Sequence, residues 1–258
     1  MENWIIDPQK IGVEVELLAP KGSDRQKLAE AIAAEANGFV NAFFHLDSEP
    51  SKVKGKPVFY HLTQAFEVFD GYGQPLAHCL DDITIQNTLE KKTKPRDGWY
   101  RILSDDVRFL RLAMEHADAD GPIGQSLQKL AALFGVEPDA AAGGVYRVAD
   151  KTGASIALAA PLPGERERPC ELVTMPLSID DTESLAMLLN CAQKLQFQIP
   201  DEGATHLHFD GKPFASVTTF IKTARFLQEY RLVLRRLLGT NLKCRRIGDW
   251  PKEFLEII

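Results

Sequence analysis

An acidic pair inside an apolar run constrains this chain more than any other feature. The run from Ile11 to Ala19 is apolar except for Glu14 and Glu16, which lie two residues apart. Side chains of a β-strand alternate between its faces, so the spacing predicts a strand with both carboxylates on one face and Val13 on the other. By strand rise the carboxylates begin roughly 7 Å apart, where like charges repel unless a cation, a proton or an arginine lies between them. The run therefore predicts a strand with one face in a core and the other in need of a counterion.

The composition is that of a globular protein without a strongly charged surface. The chain has 258 residues, 45% of them hydrophobic, and a net charge of −6. This length fits one large domain or two small ones, and the negative charge does not favour binding to nucleic acid or anionic membranes. No apolar run reaches the length of a membrane span, and the N-terminus lacks the basic and apolar segments of a signal peptide. The four cysteines are scattered, with no Cys-x-x-Cys pair. We therefore expect reduced cysteines and a cytoplasmic protein.

The first half of the chain predicts one helix followed by short strands. Ser23 is a suitable N-cap for a helix that ends near Gly38. From residue 39 to 103, aromatic and β-branched segments are separated by polar turns, which favours antiparallel pairing. The predicted strands are Val58–His61, Phe66–Phe69, Asp82–Ile85 and Trp99–Leu103.

The second half alternates groups of helices with further strands. Helices are predicted to begin at Ser104–Asp106 and at Asp180, another runs from Pro122 to Phe134, and the longest runs from Ser216 to Leu238. The apolar face predicted for that longest helix consists of Val217, Phe220, Ile221, Ala224, Leu227 and Leu234. The predicted strands are Val145–Ala149, Ala154–Ala160, Cys170–Thr174 and Thr205–Phe209. Strands with helices inserted in groups indicate an α+β fold.

Two later segments carry side chains that could accompany the acidic pair. His206 and His208 lie two apart on a predicted strand, so their rings share a face, and Glu171 begins another apolar strand. Carboxylates with one imidazole suit Mg²⁺ or Mn²⁺, whereas zinc would favour another nitrogen or sulfur ligand. Phosphate groups would need guanidinium donors. The candidates are Arg168, Arg225, Arg235, Arg236, Arg245 and Arg246.

Each of these signals has an ordinary structural explanation when it is taken alone. A Glu-x-Glu pair on a strand is most often a solvated face, and a His-x-His pair is most often a surface feature. Asp105 and Asp106 are suited to cap a helix. Cys170, next to Glu171, is more typical of a small buried hydrophobe than of a nucleophile.

In combination and order, these segments resemble the amidoligases, carboxylate–amine ligases related to glutamate–cysteine ligase and glutamine synthetase. Glu-x-Glu and Arg-Pro-x-Glu-Leu-Val-Thr-x-Pro-Leu are the most specific parts of the resemblance, which spans nearly the whole chain. The matching blocks are Gly12–Glu16, Trp99–Asp105, Arg168–Leu177, Thr205–Asp210 and Asn241–Ile247.

The resemblance implies a single catalytic domain over residues 1–258 with a glutamine-synthetase-like fold. In that fold, antiparallel strands curl into an open funnel, helices pack on its outer face, and ATP and metal ions bind on the concave face. Residues 104–144 would be a helical insertion that covers or shapes the acceptor site.

The resemblance also implies roles for individual residues. Metal ligands would be Glu14, Glu16, Glu171 and His208, with His206 as a further candidate. Glu16, Arg168, Arg246 and Asp105 would act in catalysis, and Arg168, Arg225, Arg245 and Arg246 would bind the nucleotide. The family often has an Asp-x-Ser pair where this chain has Ser104-Asp105-Asp106.

The implied reaction is ATP-dependent formation of an amide or peptide bond through an acyl phosphate. Its substrates would be small-molecule or peptide carboxylates and amines, and its cofactors ATP and Mg²⁺ or Mn²⁺. The amine proton would pass to His206, Asp210 or Asp105, and the sequence does not distinguish among these three acceptors. A metal-dependent amide hydrolase and a non-catalytic binding protein are the alternatives, and a homo-oligomer is compatible with the resemblance.

Overall fold

The computed structural model describes residues 10–51, 54–55, 58–243 and 250–257. Within these ranges the chain forms eleven strands and seven α-helices. The strands are β1 Lys10–Leu18, β2 Phe39–Pro50, β3 Val58–Phe69, β4 Pro75–Leu80, β5 Tyr100–Ser104, β6 Asp139–Ala141, β7 Val145–Ala149, β8 Ser155–Pro161, β9 Pro169–Thr174, β10 Leu177–Ser178 and β11 Thr205–Phe209. The helices are α1 Arg25–Glu35, α2 Val107–His116, α3 Ile123–Ser126, α4 Gln128–Leu133, α5 Thr182–Lys194, α6 Val217–Leu237 and α7 Lys252–Ile257.

The described strands form one antiparallel sheet that does not close on itself. Their order is β10-β1-β9-β4-β3-β5-β8-β7-β6, with β11 paired to β1 and β2 paired to β3. This arrangement confirms the α+β class and the antiparallel pairing. The curled funnel of glutamine synthetase stays a prediction. So do the single-domain organisation over residues 1–258 and the status of residues 104–144 as an insertion.

Helices α1, α2, α4 and α5 pack on one face of the sheet, and the opposite face carries the acidic pair. Val13, Val15 and Leu17 of β1 pack with α1 and α5 in one buried cluster. A second cluster joins α2 and α4 to β3, β5, β7 and β8, with Leu62 and Ile102 near its centre. Alternation along each strand turns the intervening side chains to the opposite face, here called the site face. Glu14 and Glu16 lie on the site face.

Several predicted strands match the structure, and one does not. Val145–Ala149 and Thr205–Phe209 are confirmed at both ends, whereas Val58–His61 and Phe66–Phe69 are the two ends of the single strand β3. The prediction of a strand at Asp82–Ile85 was wrong, because this segment is a turn. Asp82 Oδ1 accepts hydrogen bonds from the Thr84 amide at 2.8 Å and the Thr84 hydroxyl at 2.6 Å, which closes the turn locally.

Helix starts differ from the prediction by one residue where two polar residues compete for the cap. Asp24, not Ser23, caps α1 by accepting from the Lys27 amide at 2.9 Å, and Asp181, not Asp180, caps α5. A carboxylate satisfies the free amides of the first turn and also interacts favourably with the helix dipole. The helix predicted from Pro122 to Phe134 is divided at Leu127 into α3 and α4.

The helix α6 corrects the prediction that its apolar side faces the core. Of its 21 residues only Ala224 is buried, whereas Val217 is 72% exposed and Phe220 and Leu227 are about 40% exposed. Further apolar residues, such as Leu237, lie off the predicted stripe, so no single face collects them. No helix in the described part of the chain has the length and apolar character needed to cross a membrane.

The glycine that follows α1 gives a test of this packing. A Cβ at Gly38 would lie 1.8 Å from the Phe69 carbonyl oxygen, so Gly38→Ala must push β2 away from the end of β3. We expect the free energy of unfolding, measured with urea, to fall by about 3 kcal/mol.

Gly211→Ala is the matched control for this substitution. Gly211 has a helical φ of −75° and no atom within 4 Å of an added Cβ, so its effect should stay within about 0.5 kcal/mol. Equal destabilisation by the two substitutions would show that the contact with Phe69 is not the cause.

Candidate functional site

The register of β1 brings its two glutamates opposite side chains from two other strands. Glu16 lies directly opposite Glu171 of β9, and Glu14 lies directly opposite His206 of β11. His208 is two residues further along β11, so it shares the face of His206. Directly opposed residues of an antiparallel pair share a face. The five residues predicted as metal ligands therefore meet on the site face.

The imidazoles are in direct contact with the acidic pair. His206 Nδ1 lies 2.7 Å from Glu14 Oε1, and His206 Nε2 lies 3.7 Å from Glu16 Oε1. His208 Nε2 lies 3.0 Å from Glu14 Oε2. Gly12 is opposite His208, and a Cβ there would be 3.3 Å from the His208 Cβ. The glycine thus leaves room for the ring to lie over β1.

The solvent exposure of the side chains increases across the site from Glu16 to His208. The Glu16 side chain is 1% exposed, and its Oε2 accepts a hydrogen bond from the Ala204 amide at 2.9 Å. The Glu14 side chain is 12% exposed, whereas His208 is 55% exposed. Glu16 therefore forms the floor of the site and His208 its solvent-facing rim.

Two groups of ligand atoms share Glu16. Glu14, Glu16 and His206 each offer one ligand atom within 4.8 Å of the others, and so do Glu16, Asp82 and Glu171. The second group contains three carboxylates, which repel one another unless a cation neutralises them. Oxygen ligands of this kind fit Mg²⁺ or Mn²⁺, and the first group adds one imidazole. The donor set thus fits the divalent ions that the sequence predicted.

Asp82 is the member of this site that sequence reasoning missed, because it was assigned to a strand. It is fully buried and is the second residue after β4, in the turn closed by Thr84. The available signal was the Asp81-Asp82 pair at the end of an apolar segment, where a short polar turn returns the chain to the sheet edge.

A buried ion network holds the turn that carries Asp82. Asp81 Oδ2 accepts from Arg166 Nη2 at 2.8 Å, and Asp81 Oδ1 lies 3.6 Å from Arg25 Nη1. Arg166 Nη1 also donates to the Ile83 carbonyl at 3.4 Å. Asp81 and Arg25 have no exposed side-chain surface, so these charges depend on one another. The network fixes the turn on both sides of Asp82.

Arg25 is further tied to the backbone around the turn. Its Nε donates to the Gln64 carbonyl at 2.9 Å and its Nη1 to the Arg166 carbonyl at 3.0 Å. Its guanidinium lies 4.5 Å from the centre of the Trp99 ring. Carbonyl and aromatic contacts compensate for the loss of hydration of a buried guanidinium.

Of the predicted arginines, Arg168 makes its side-chain contacts with groups other than the acidic ligands. Arg168 Nε donates to the Ala19 carbonyl at 2.9 Å, and its Nη1 lies 2.5 Å from Glu165. Arg225 lies on α6, and Arg245 and Arg246 lie outside the described residues. Their roles in binding a nucleotide stay predictions.

Two other guanidinium groups line a cavity beside the Asp82 turn. The cavity has a volume of about 240 Å³ and is lined by Arg101, Arg166, Glu49 and Lys91, among others. Arg101 Nη1 donates to Glu49 at 3.4 Å, and its buried Nε has no hydrogen-bond partner among the described residues. Burial lowers the pKa of Arg101, and a nearby imidazole, that of His61, lowers the pKa of Glu49. The cavity is therefore lined by basic side chains together with the carboxylates of Glu49 and Glu165.

The structure does not bring Asp105 to the acidic groups. Asp105 lines a separate pocket of about 350 Å³ next to β5 and β8. β5 is separated from β1 by β3, β4 and β9, which corresponds to about 19 Å across the sheet. Of the two predicted capping residues, Asp106 caps α2.

Cys170 lies on the helix face and has no exposed surface. Burial raises the pKa of its thiol, which keeps it protonated. Its environment is that of a small core residue, as the sequence indicated.

Comparison with protein families identifies one family that matches nearly the whole chain. Residues 7–258 match the family described as "Putative amidoligase enzyme". The chain belongs to this amidoligase family. The match spans both ligand groups and confirms the resemblance seen in the sequence. Membership indicates an amide-forming ligase that acts on small-molecule substrates. Comparisons with curated proteins and with solved structures gave no significant match.

Measurement of divalent-ion binding tests whether the two ligand groups share Glu16. We expect Glu16→Gln to lower Mn²⁺ affinity at both groups, because it removes a charged ligand common to them. Asp82→Asn should weaken only one group. Mn²⁺ titration followed by electron paramagnetic resonance measures both affinities and the number of ions bound.

Asp47→Asn is the control, because Asp47 lies on the site face of β2 outside both groups. It should leave the titration unchanged. A Glu16→Gln protein that binds Mn²⁺ like the wild type would contradict the site.

The buried network around Asp81 gives a separate prediction. Asp81→Asn leaves Arg25 and Arg166 without their shared counter-charge, so the free energy of unfolding should fall by about 3 kcal/mol. Loss of the fixed turn should also weaken Mn²⁺ binding at the Asp82 group about tenfold and spare the His206 group.

Glu30→Gln breaks an exposed ion pair with Lys27 and should change stability by less than about 0.5 kcal/mol. If Asp81→Asn weakened both ligand groups equally, the turn would not be the element that the network holds.

Proposed function

We propose that this chain is an ATP-dependent carboxylate–amine ligase that uses Mg²⁺ or Mn²⁺ and forms an amide or peptide bond through an acyl phosphate. The observation that carries the proposal is the sharing of buried Glu16 by two ligand groups, in a chain of the amidoligase family. Phosphoryl transfer needs positioned positive charge more than covalent help, and two cation sites on one carboxylate would supply it.

The proposed ligands are Glu14, Glu16, Glu171, Asp82, His206 and His208. Bound divalent ions would neutralise the phosphate oxygens and align the carboxylate nucleophile. Glu16 would be held in place by the Ala204 amide, and Asp82 by the turn fixed through Asp81. Preorganised ligands need little rearrangement when the substrate binds.

Guanidinium groups would complete the charge balance around the phosphates and the acid. Arg101 and Arg166 are the best placed of the described arginines, since they line the cavity beside the Asp82 turn. We also propose the residue roles that the family resemblance implies. Nucleotide binding would involve Arg168, Arg225, Arg245 and Arg246. Catalysis would involve Glu16, Arg168, Arg246 and Asp105.

Burial argues against one alternative drawn from the sequence, and family membership argues against the other. A solvated acidic strand in a non-catalytic protein would not have Glu16 and Asp82 nearly inaccessible to solvent. A metal-dependent hydrolase would use the histidines to position water. The family match favours amide formation over hydrolysis.

Mg²⁺-dependent ADP release tests the proposal. A panel of small acids, amino acids and dipeptides, each combined with a panel of amines, should include pairs that release ADP. Glu16→Ala should lower this turnover at least about 100-fold, because one residue serves both cation sites.

Asp47→Ala on the same face is the control and should retain turnover. Near-normal turnover by a folded Glu16→Ala protein would contradict the metal assignment. Amide cleavage without any nucleotide would favour the hydrolase instead.

A further inference from the structure

A histidine–glutamate pair on the site face has no role in the site described so far. His78 Nε2 of β4 lies 3.1 Å from Glu67 Oε1 of β3, and the two residues are directly opposite in the sheet. Their side chains are 28% and 33% exposed. Neither belongs to the two ligand groups found among the described residues.

The sheet register aligns this pair with the acidic groups. Val173 of β9 is directly opposite Glu14 on one side and directly opposite His78 on the other. Glu14, Val173, His78 and Glu67 therefore form one row across β1, β9, β4 and β3. Two strand spacings, about 10 Å, separate the backbones at Glu14 and His78. An acid held at the ligand groups would thus have an imidazole beside it across Val173.

The three proton acceptors considered from the sequence are less well placed. His206 contacts Glu14 and Glu16 as part of a ligand group, and Asp105 lies near β5. Asp210 Oδ1 accepts a hydrogen bond from the Lys212 amide beyond the end of β11. A general base must be near the reacting atoms and must not be used as a metal ligand. His78 lies outside both ligand groups and two strands from Glu14 in the same row of the sheet.

Glu67 fixes how the imidazole can act. Donation of the Nε2 proton to Glu67 Oε1 leaves a lone pair on Nδ1, because a neutral imidazole has one donor and one acceptor nitrogen. The centre of the Phe43 ring lies 5.4 Å from the centre of the imidazole ring, and the two rings pack together. Histidine with an orienting carboxylate is an arrangement that serves general base catalysis.

We propose that His78 is the base that accepts the proton of the amine substrate and that Glu67 is its positioning residue. This inference rests on the proposed ligase function. In the step, the neutral amine attacks the carbonyl carbon of the acyl phosphate and the new C–N bond forms. The C–O bond to phosphate breaks, and phosphate leaves with the electron pair. One proton of the attacking nitrogen passes to His78 Nδ1 and then to solvent.

Hydroxylamine separates this step from the phosphoryl transfer that precedes it. It is a strong nucleophile that is largely unprotonated near neutral pH, so its attack on an acyl phosphate needs little help from a base. The experiment uses the acid–amine pair with the highest turnover in the ADP-release panel. It compares amide formation with hydroxamate formation from the same acid.

His78→Gln should lower kcat for amide formation at least about 100-fold and leave hydroxamate formation within about threefold of wild type. Glu67→Gln should show the same selective loss at about tenfold, with the KM for ATP unchanged. A merely structural role would reduce both products together. His45→Gln, another histidine on the site face of β2, is the control and should change neither product.

The outcomes distinguish the two proposals. Amide formation near the wild-type rate in folded His78→Gln would overturn the base assignment, and so would equal loss of amide and hydroxamate. A selective loss in Asp210→Asn but not in His78→Gln would transfer the role to Asp210. Wild-type protein that forms neither ADP nor hydroxamate with any acid would overturn the ligase function itself.

Discussion

The pairing of β1 with β9 on one edge and β11 on the other is the constraint on which the site depends. It places Glu16 opposite Glu171 and Glu14 opposite His206. The same register sends Val13 into the buried cluster under the sheet. A slip of one residue would exchange the two faces, burying the acids among helices and exposing the apolar side chains. Fold and site are therefore stabilised by one register, and neither can change without the other.

The buried charged side chains form two groups, which are connected through the turn that contains Asp81 and Asp82. The ligand groups gather carboxylates on the site face, whereas Arg25, Asp81 and Arg166 form an ion network at the end of β4. Buried ion pairs add little net stability, but removal of one partner is costly because a charge is left without compensation. Such a network suits positioning, since it resists any movement of the turn that carries Asp82.

Family membership and geometry support the ligase proposal in different ways. The family match covers nearly the whole chain and indicates amide formation, but it assigns no roles to single residues. Geometry contributes the shared Glu16, the additional carboxylate of Asp82 and the pair formed by His78 and Glu67. Together they place, along a few adjacent strands, the groups that the proposed phosphoryl transfer and proton removal would require.

The sequence by itself determined the α+β class, the alternation of β1 and the starts of α1, α2, α3, α5 and α6 to within one residue, because these depend on local periodicity and capping. It also identified the glutamates and histidines that meet on the site face. Only the tertiary structure decided that Asp82 joins them and that His78 lies in one row with Glu14, since strand register is a long-range property. It also decided that α6 leaves Val217 and Leu237 exposed. Apolar spacing indicates which residues can be buried, but burial needs a partner surface that local sequence does not specify.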